Sequence, residues 1–229
     1  MTTIALDPLL DLREAPAAGG SPWAYDTRAH RYRDLRSGRF LSATAMVELR
    51  DDFLERRRAD IALVTDRLLA GDLPTAAWYA AMRWEIAQTT IVQYAFGRGG
   101  RSQLTDQDRR TIAELIGEQE ARLFRFALEV EAGELSARQI AARAQLYVDS
   151  ATRAYERGQA AAFRVVLPAY PGDGSTLCRA RCKCHWALED DELVVRATWT
   201  LGSAEHCETC LDRAARWAPL VLFKTGGGG

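Results

Sequence analysis

The first 177 of the 229 residues contain no cysteine, and the whole chain has only three histidines, His30, His185 and His206. A Ser-His-Asp triad would have to use His30, and no G-x-S-x-G elbow is present to hold its serine. The H-E-x-x-H pattern of zinc proteases is absent. So is the H-x-E or C-x-E that nucleobase deaminases need ahead of P-C-x-x-C. The glycine-rich Gly97–Gly100 lacks a following Lys-Ser/Thr, so it reads as a turn and not as a P-loop. Lysine is nearly missing as well: 28 of the 30 basic residues are Arg, the exceptions being Lys183 and Lys224. With 31 acidic residues the formal charge is −1, which excludes a globally basic nucleic-acid coat and a strongly acidic mimic. No run approaches the roughly 18 apolar residues of a membrane-spanning helix. The start, MTTIALDPLLDLREAP, lacks the basic and apolar regions of a secretory signal. An intracellular, reducing setting is therefore expected, in which clustered cysteines are metal ligands or nucleophiles before they are disulfides.

What is present divides the chain. Residues 1–40 carry Pro8, Pro16, Gly19, Gly20 and Pro22 and read as a partly irregular N-terminal arm. Within it, Tyr32-Arg33-Asp34 and Ser37-Gly38-Arg39-Phe40 suit a short hairpin or turn, and Trp23, Tyr25, Tyr32 and Phe40 would let the arm dock on a surface. Residues 41–167 read as a helical body of about four antiparallel helices. Ser42 is an N-cap, with Leu41 and Met46 as a hydrophobic staple, and Gly71 stops the first helix. Pro74 fits the first turn of the second, whose apolar positions include Trp78, Met82, Ile86 and Tyr94. Thr105 with Asp108 opens the third helix and Gly133 ends it. Ser136 with Gln139 is a capping box, flanked by the staple Leu135/Ile140, for a fourth helix running to about Phe163. Ala70-Gly71-Asp72-Leu73-Pro74 is echoed by Ala132-Gly133-Glu134-Leu135-Ser136, a reused helix-stop, helix-start turn.

Residues 168–225 form a Cys-rich module, and 226–229 a flexible glycine tail. Lys183–Glu189 and Leu193–Leu201 read as two strands around an acidic turn, with a short helix after Cys210. The fold class expected is thus mainly α with a small C-terminal β-hairpin, α+β overall. Five cysteines lie in the spacing Cys178-x3-Cys182-x-Cys184-His185, then 20 residues, then His206-Cys207-x2-Cys210. Two close pairs on either side of a hairpin bring four thiolates to one ion, which is what tetrahedral zinc requires. Cys182, Cys184, Cys207 and Cys210 are the favoured tetrad. Cys178 is the first substitute, and His185 and His206 are the remaining candidates. On a strand, Cys182 and Cys184 share a face and His185 takes the opposite one. Four thiolates would close the coordination sphere, so the expected zinc is structural and the protein is expected to be no enzyme. Trp186, Trp199 and Trp217 would pack a mini-core around the metal. Arg50, Arg56, Arg57 and Arg58, preceded by Arg28, Arg31, Arg33, Arg36 and Arg39, give a basic stretch. It reads either as a solvated face interleaved with acids or as a contact for DNA phosphates or an acidic partner.

The stretch Pro171-Gly172-Asp173-Gly174-Ser175, Cys178, Cys182-Lys183-Cys184-His185-Trp186, Trp199, Ala204-Glu205-His206-Cys207-Glu208-Thr209-Cys210 and Trp217-Ala218-Pro219-Leu220 resembles the C-terminal part of tailed-phage minor head proteins of the Mu-type head-morphogenesis group. A weaker echo runs through Ala142-Arg143-Ala144-Gln145 and Ala154-Tyr155-Glu156-Arg157-Gly158. The likeness covers about residues 135–220. Gln145 stands where that group usually has Glu, and the group's large insert is missing, so the chain is a short version. The resemblance implies a structural protein of the phage or prophage head, located in the virion and in the host cytoplasm during assembly. It would act near the portal in capsid assembly or DNA packaging, with portal or major capsid protein as partner and an oligomeric arrangement on the portal admitted. The alternative is a zinc-containing nucleic-acid-binding regulator using the Arg-rich stretch.

Overall fold

Helix boundaries follow the capping chemistry. The structure, a computed structural model, describes residues 23–26, 31–35, 37–179, 182–203 and 205–225. Most of the expected arm, with His30, Arg28 and Arg36, and the glycine tail lie outside the described residues. Strands β1 (Trp23–Asp26) and β2 (Arg31–Asp34) pair antiparallel, and a bridge joins Arg33 to Phe40. The expected turn over 32–40 is therefore present, and β1, unforeseen, adds a second strand to it. The Tyr32 hydroxyl donates to the Phe96 carbonyl at 2.9 Å and docks this ribbon on the helical body.

Helix α1 (Ala43–Leu69) begins at Ser42, whose hydroxyl accepts from the Ala45 N–H. Helix α2 (Thr75–Arg98) ends at Gly99 in the left-handed conformation. Helix α3 (Asp106–Glu131) opens on the Thr105/Asp108 capping box, and α4 (Ala137–Asp149) on the Ser136/Gln139 box. The two echoed turns share one geometry. The Gly71 and Gly133 N–H groups bond Leu68 and Val130 carbonyls, while the Asp72 and Glu134 N–H groups bond Arg67 and Glu129 carbonyls. This is the Schellman pattern that satisfies the last carbonyls of a helix, and its left-handed residue favours glycine.

The expected fourth helix is two. After α4, α5 (Thr152–Phe163) starts without leaving right-handed backbone: Ala151 has φ −68° and ψ −16°. The break is a local tightening. Ala151, Arg153 and Ala154 N–H groups each bond a carbonyl three residues back, and the Ser150 hydroxyl donates to the Tyr147 carbonyl. Neither Pro nor Gly marks it, so the sequence pattern ran through.

Helix α2 is the axis of the body. Every residue from Ile86 to Gly97 is buried, including Gln88, Thr89, Thr90 and Gln93. Its first half shares a core with α1, α3 and α4 through Ile61, Trp78, Met82, Leu123, Phe126 and Ile140. Its second half packs on α3 and α5 through Ile91, Tyr94, Ile112, Leu115 and Ala154. Tyr94 donates to Asp108 at 2.7 Å, and Asp108 also binds Thr105 and Arg98. Burial alone would raise the Asp108 pKa. The Thr105 N–H, the Tyr94 and Thr105 hydroxyls and Arg98 together hold it below the usual carboxylate range.

The C-terminal module is an antiparallel sheet of order β3-β4-β5, with β3 (His185–Asp191), β4 (Val194–Thr200) and β5 (Leu220–Phe223). The expected hairpin is β3-β4, and β5 adds a third strand that pairs with β4. Helix α6 (Glu208–Arg216) precedes β5, and it begins before Cys210, not after it, because Cys207 is its N-cap. The chain is thus mainly helical with a small C-terminal sheet. Among the described residues no helix is long and apolar enough to cross a membrane.

The module is continuous with the body. Ala160 on α5, with Val165 and Leu167, packs into the core made by Trp186, Val195, Ala197 and Trp199. Glu156 on α5, only 1% exposed, accepts from the Trp186 N–H at 3.3 Å and so satisfies an edge donor of β3 that has no strand partner. Burial pushes the Glu156 carboxyl up to about 8, against the opposing Trp186 N–H and the charge of Arg50. A carboxyl raised in this way binds a proton in the folded state that the unfolded chain has released. Its contribution to stability is whole below about pH 4.3 and is lost as pH rises through about 8. Glu156→Gln should flatten that decline, whose steepest slope is about 1.4 kcal/mol per pH unit. The variant should be the more stable protein at pH 8.5, as read from urea midpoints between pH 5 and 8.5. A wild-type excess of stability at pH 8.5 would show Glu156 to be ionised and stabilising.

Candidate metal centre

The five cysteines converge at the junction of the 171–182 loop, the entry to β3 and the start of α6. From Cys182 to Trp186 burial alternates: Cys182, Cys184 and Trp186 are buried, and Lys183 and His185 are exposed. The expected shared face of Cys182 and Cys184 is present, and His185 points away from it. Burial and the charge of Arg50 lower the His185 pKa. Cys207 caps α6, and the N–H groups of Cys210 and Leu211 bond its carbonyl, so Cys207-x2-Cys210 sits on the turn entering a helix.

The Sγ atoms of Cys178, Cys182 and Cys210 all lie within 4.8 Å of one another, close enough to hold one metal ion. Cys178 is 3.8 Å and Cys182 3.6 Å from Cys210. Cys207 adds a fourth thiol 3.7 Å from Cys178. Cys184, buried to 3% exposure, also interacts with Cys210. The geometry therefore promotes Cys178, the substitute in the sequence reading, into the central trio, and places Cys184 beside it. The Cys178 position carries no signal in a two-pair spacing argument, because a loop and not a strand delivers it. His206 is half-buried, and among the described residues neither it nor His185 joins a group of metal-ligating side chains.

The electrostatics are those of thiols without a counter-charge. Burial, together with the neighbouring Cys184 and Cys178, pushes the Cys182 thiol up to about 12 despite the Cys184 N–H and Cys210. Burial and the surrounding thiols raise Cys210 as well. Cys207 goes the other way. Burial raises it, but the N–H groups of Cys210 and Cys178 and the thiols of the same residues bring it down to about 7. A divalent cation supplies the positive charge that would ionise the remaining thiols.

The surroundings hold the cluster in shape. Trp186, Trp199 and Trp217 form a mutual triad with ring centroids 5.2–5.8 Å apart, and Trp186 donates through Nε1 to the Ala169 carbonyl at 2.9 Å. The Arg213 guanidinium lies 5.1 Å from the Trp199 ring and 5.3 Å from the Trp217 ring. It also donates to the Ser175 carbonyl and hydroxyl. Asp173 accepts from the N–H groups of Tyr170 and Ser175, folding Pro171–Ser175 into a fixed turn beneath α6.

The basic stretch of α1 is largely neutralised. Arg50 pairs with Asp51, Arg57 with Asp60 and Glu85, and Arg58 with Glu55 and Asp149. Arg56 is exposed. Arg57 and Arg58 are partly buried and tie α1 to Glu85 of α2 and Asp149 of α4. No family model, no curated protein and no solved structure matches the chain.

Proposed function

We propose that this protein is a non-catalytic structural component of a phage or prophage head, acting near the portal, and that its C-terminal module is a zinc-stabilised docking knob. The observation that carries the reading is the convergence of the residues that resemble minor head proteins. Pro171–Ser175, Cys178, Cys182, Trp186, Trp199, Cys210 and Trp217 are dispersed over nearly 50 positions, yet they form one packed unit around the thiol cluster. Zinc is the metal that fits. A tetrahedral ion with Zn–S bonds of about 2.3 Å sets its thiolates about 3.8 Å apart. The 3.6 and 3.8 Å separations within the Cys178–Cys182–Cys210 trio lie near that edge, and Cys207, 3.7 Å from Cys178 but outside the trio's 4.8 Å span, would move in to complete it. Cys178, Cys182, Cys207 and Cys210 would hold the ion, with closed coordination and no position for a reacting water.

The sheet supports docking. Leu193, Val221 and Phe223 are 78%, 51% and 80% exposed on this module, a concentration of apolar surface that suits a protein partner. The nucleic-acid alternative is weakened at Arg50, Arg57 and Arg58, which are already paired within the chain, while Arg56 stays exposed. The deciding experiment is particle association. Gradient-purified heads or assembly intermediates, probed by mass spectrometry, should contain the chain at a few copies together with portal protein. Recovery solely from the soluble host fraction would refute the reading.

A further inference from the structure

On the face of the body formed by α3 and α4 there is a pocket of about 320 Å³, remote in sequence from the thiol cluster. It is lined by Gln119, Arg122, Arg125, Glu129, Arg143 and Tyr147. Three arginines against one glutamate leave the lining at +2. The arginines differ in their freedom. Arg143 is fixed: it forms a bidentate pair with Glu129, and its guanidinium lies 4.5 Å from the centre of the Phe126 ring. Arg122 and Arg125 form no ion pair or hydrogen bond among the described residues. Arg122 is half-exposed and Arg125 exposed, so both can swing over the mouth.

Tyr147 adds a hydroxyl to the lining. It is 8% exposed, it lines the pocket, and its hydroxyl has no hydrogen-bond partner among the described residues. The hydroxyl is not sealed from solvent, so it can donate to whatever occupies the pocket. Burial pushes this hydroxyl up to about 12 and Glu129 adds to that, against Arg143, Arg122 and Arg125.

We propose that this pocket binds a phosphate monoester dianion, with Arg143 as the fixed donor, Arg122 and Arg125 as the closing donors, and the Tyr147 hydroxyl as a further donor. The lining charge of +2 matches a dianion, whereas a carboxylate or a phosphodiester brings only one negative charge. A monoester also presents three terminal oxygens to three guanidinium groups, which bind phosphate bidentately. The volume lies at the small end of ligand sites, about 300–1,000 Å³, so the occupant is a small molecule.

Titration calorimetry of the full chain tests this with inorganic phosphate and with adenosine monophosphate, at matched ionic strength, against acetate. Saturable binding near one per chain is expected, weakened about tenfold or more in R122Q/R125Q. The unliganded double variant should melt close to the wild type, since Arg122 and Arg125 make no ion pair or hydrogen bond and act on Glu118 and Glu129 through charge alone. Tighter binding of the nucleotide identifies an esterified phosphate as the ligand, and equal or tighter binding of inorganic phosphate identifies the free ion. Absence of saturable binding of either, equal binding by the double variant, or equal binding of acetate overturns the proposal.

Discussion

Removing the metal should melt the C-terminal module and leave the helices of the body folded. The module's sheet has strands of seven, seven and four residues and a core built on three tryptophans, too little to stand without a staple. Structural zinc in small modules contributes about 10–16 kcal/mol of apparent binding energy, which in this module would be folding energy. Purified protein should carry one zinc per chain. Chelation should shift tryptophan emission to the red as Trp186, Trp199 and Trp217 meet water, while most helical circular dichroism survives. Cys210→Ser, which removes the thiol 3.8 Å from Cys178 and 3.6 Å from Cys182, should abolish zinc retention. Cys207→Ser should weaken it strongly, and Cys184→Ser, His185→Ala and His206→Ala much less. A Cys184→Ser variant as metal-poor as Cys210→Ser would restore the tetrad favoured by spacing. A metal-free wild type with unchanged melting would remove the metal altogether.

Gly97→Ala and Gly158→Ala should each destabilise the body by about 3 kcal/mol, the upper end for overpacking. These glycines are where α2 and α5 cross. A Cβ on Gly97 would sit 2.0 Å from the Tyr155 carbonyl oxygen and 2.7 Å from the Gln159 nitrogen. One on Gly158 would sit 2.2 Å from the Tyr94 carbonyl oxygen. The obstacles are backbone, so no rotamer change relieves them and the helices must separate, opening the core around Ile91, Tyr94 and Ala154. Helix propensity alone gives the opposite sign, a gain of about 1 kcal/mol for Gly→Ala. Gly117 supplies the control: it is helical and exposed, with nothing within 4 Å of an added Cβ. Gly117→Ala should therefore stabilise by up to about 1 kcal/mol. In a chain of this size the crossing variants should lose roughly 6–12 °C of melting temperature. Parallel small gains in all three would show that the two helices do not touch.

Local chemistry explains what the sequence by itself determined. Ser42, Thr105 with Asp108, and Ser136 with Gln139 start helices because their side chains bond N–H groups within three residues. Gly71 and Gly133 stop them because the backbone must turn left-handed there. The common face of Cys182 and Cys184 follows from the two-residue period of an extended chain, and so does the outward turn of His185. The mainly helical class, the hairpin around Glu192 and the thiol cluster all rest on signals of this range.

The remainder was decided by contacts between distant segments. Nothing in Gln88, Thr89, Thr90 and Gln93 announces the buried axis of the body; α2 is buried because four other helices close around it. Gly158 reads as a helix weakener until α5 is laid across α2 and the missing side chain becomes the condition for contact. Strand β5 is four residues that pair with β4 only after α6 has turned the chain back. Cys178 joins Cys182 and Cys210 because Asp173 folds the loop and Arg213 bonds Ser175, 38 residues away, beneath α6. Likewise Arg122, Arg125 and Arg143 become one charged pocket only when α4 folds back on α3. Capping, turns and alternation act within a few residues and are written in the sequence. Burial, helix crossing and the assembly of a site are set by which surfaces meet, and the tertiary structure alone decides that.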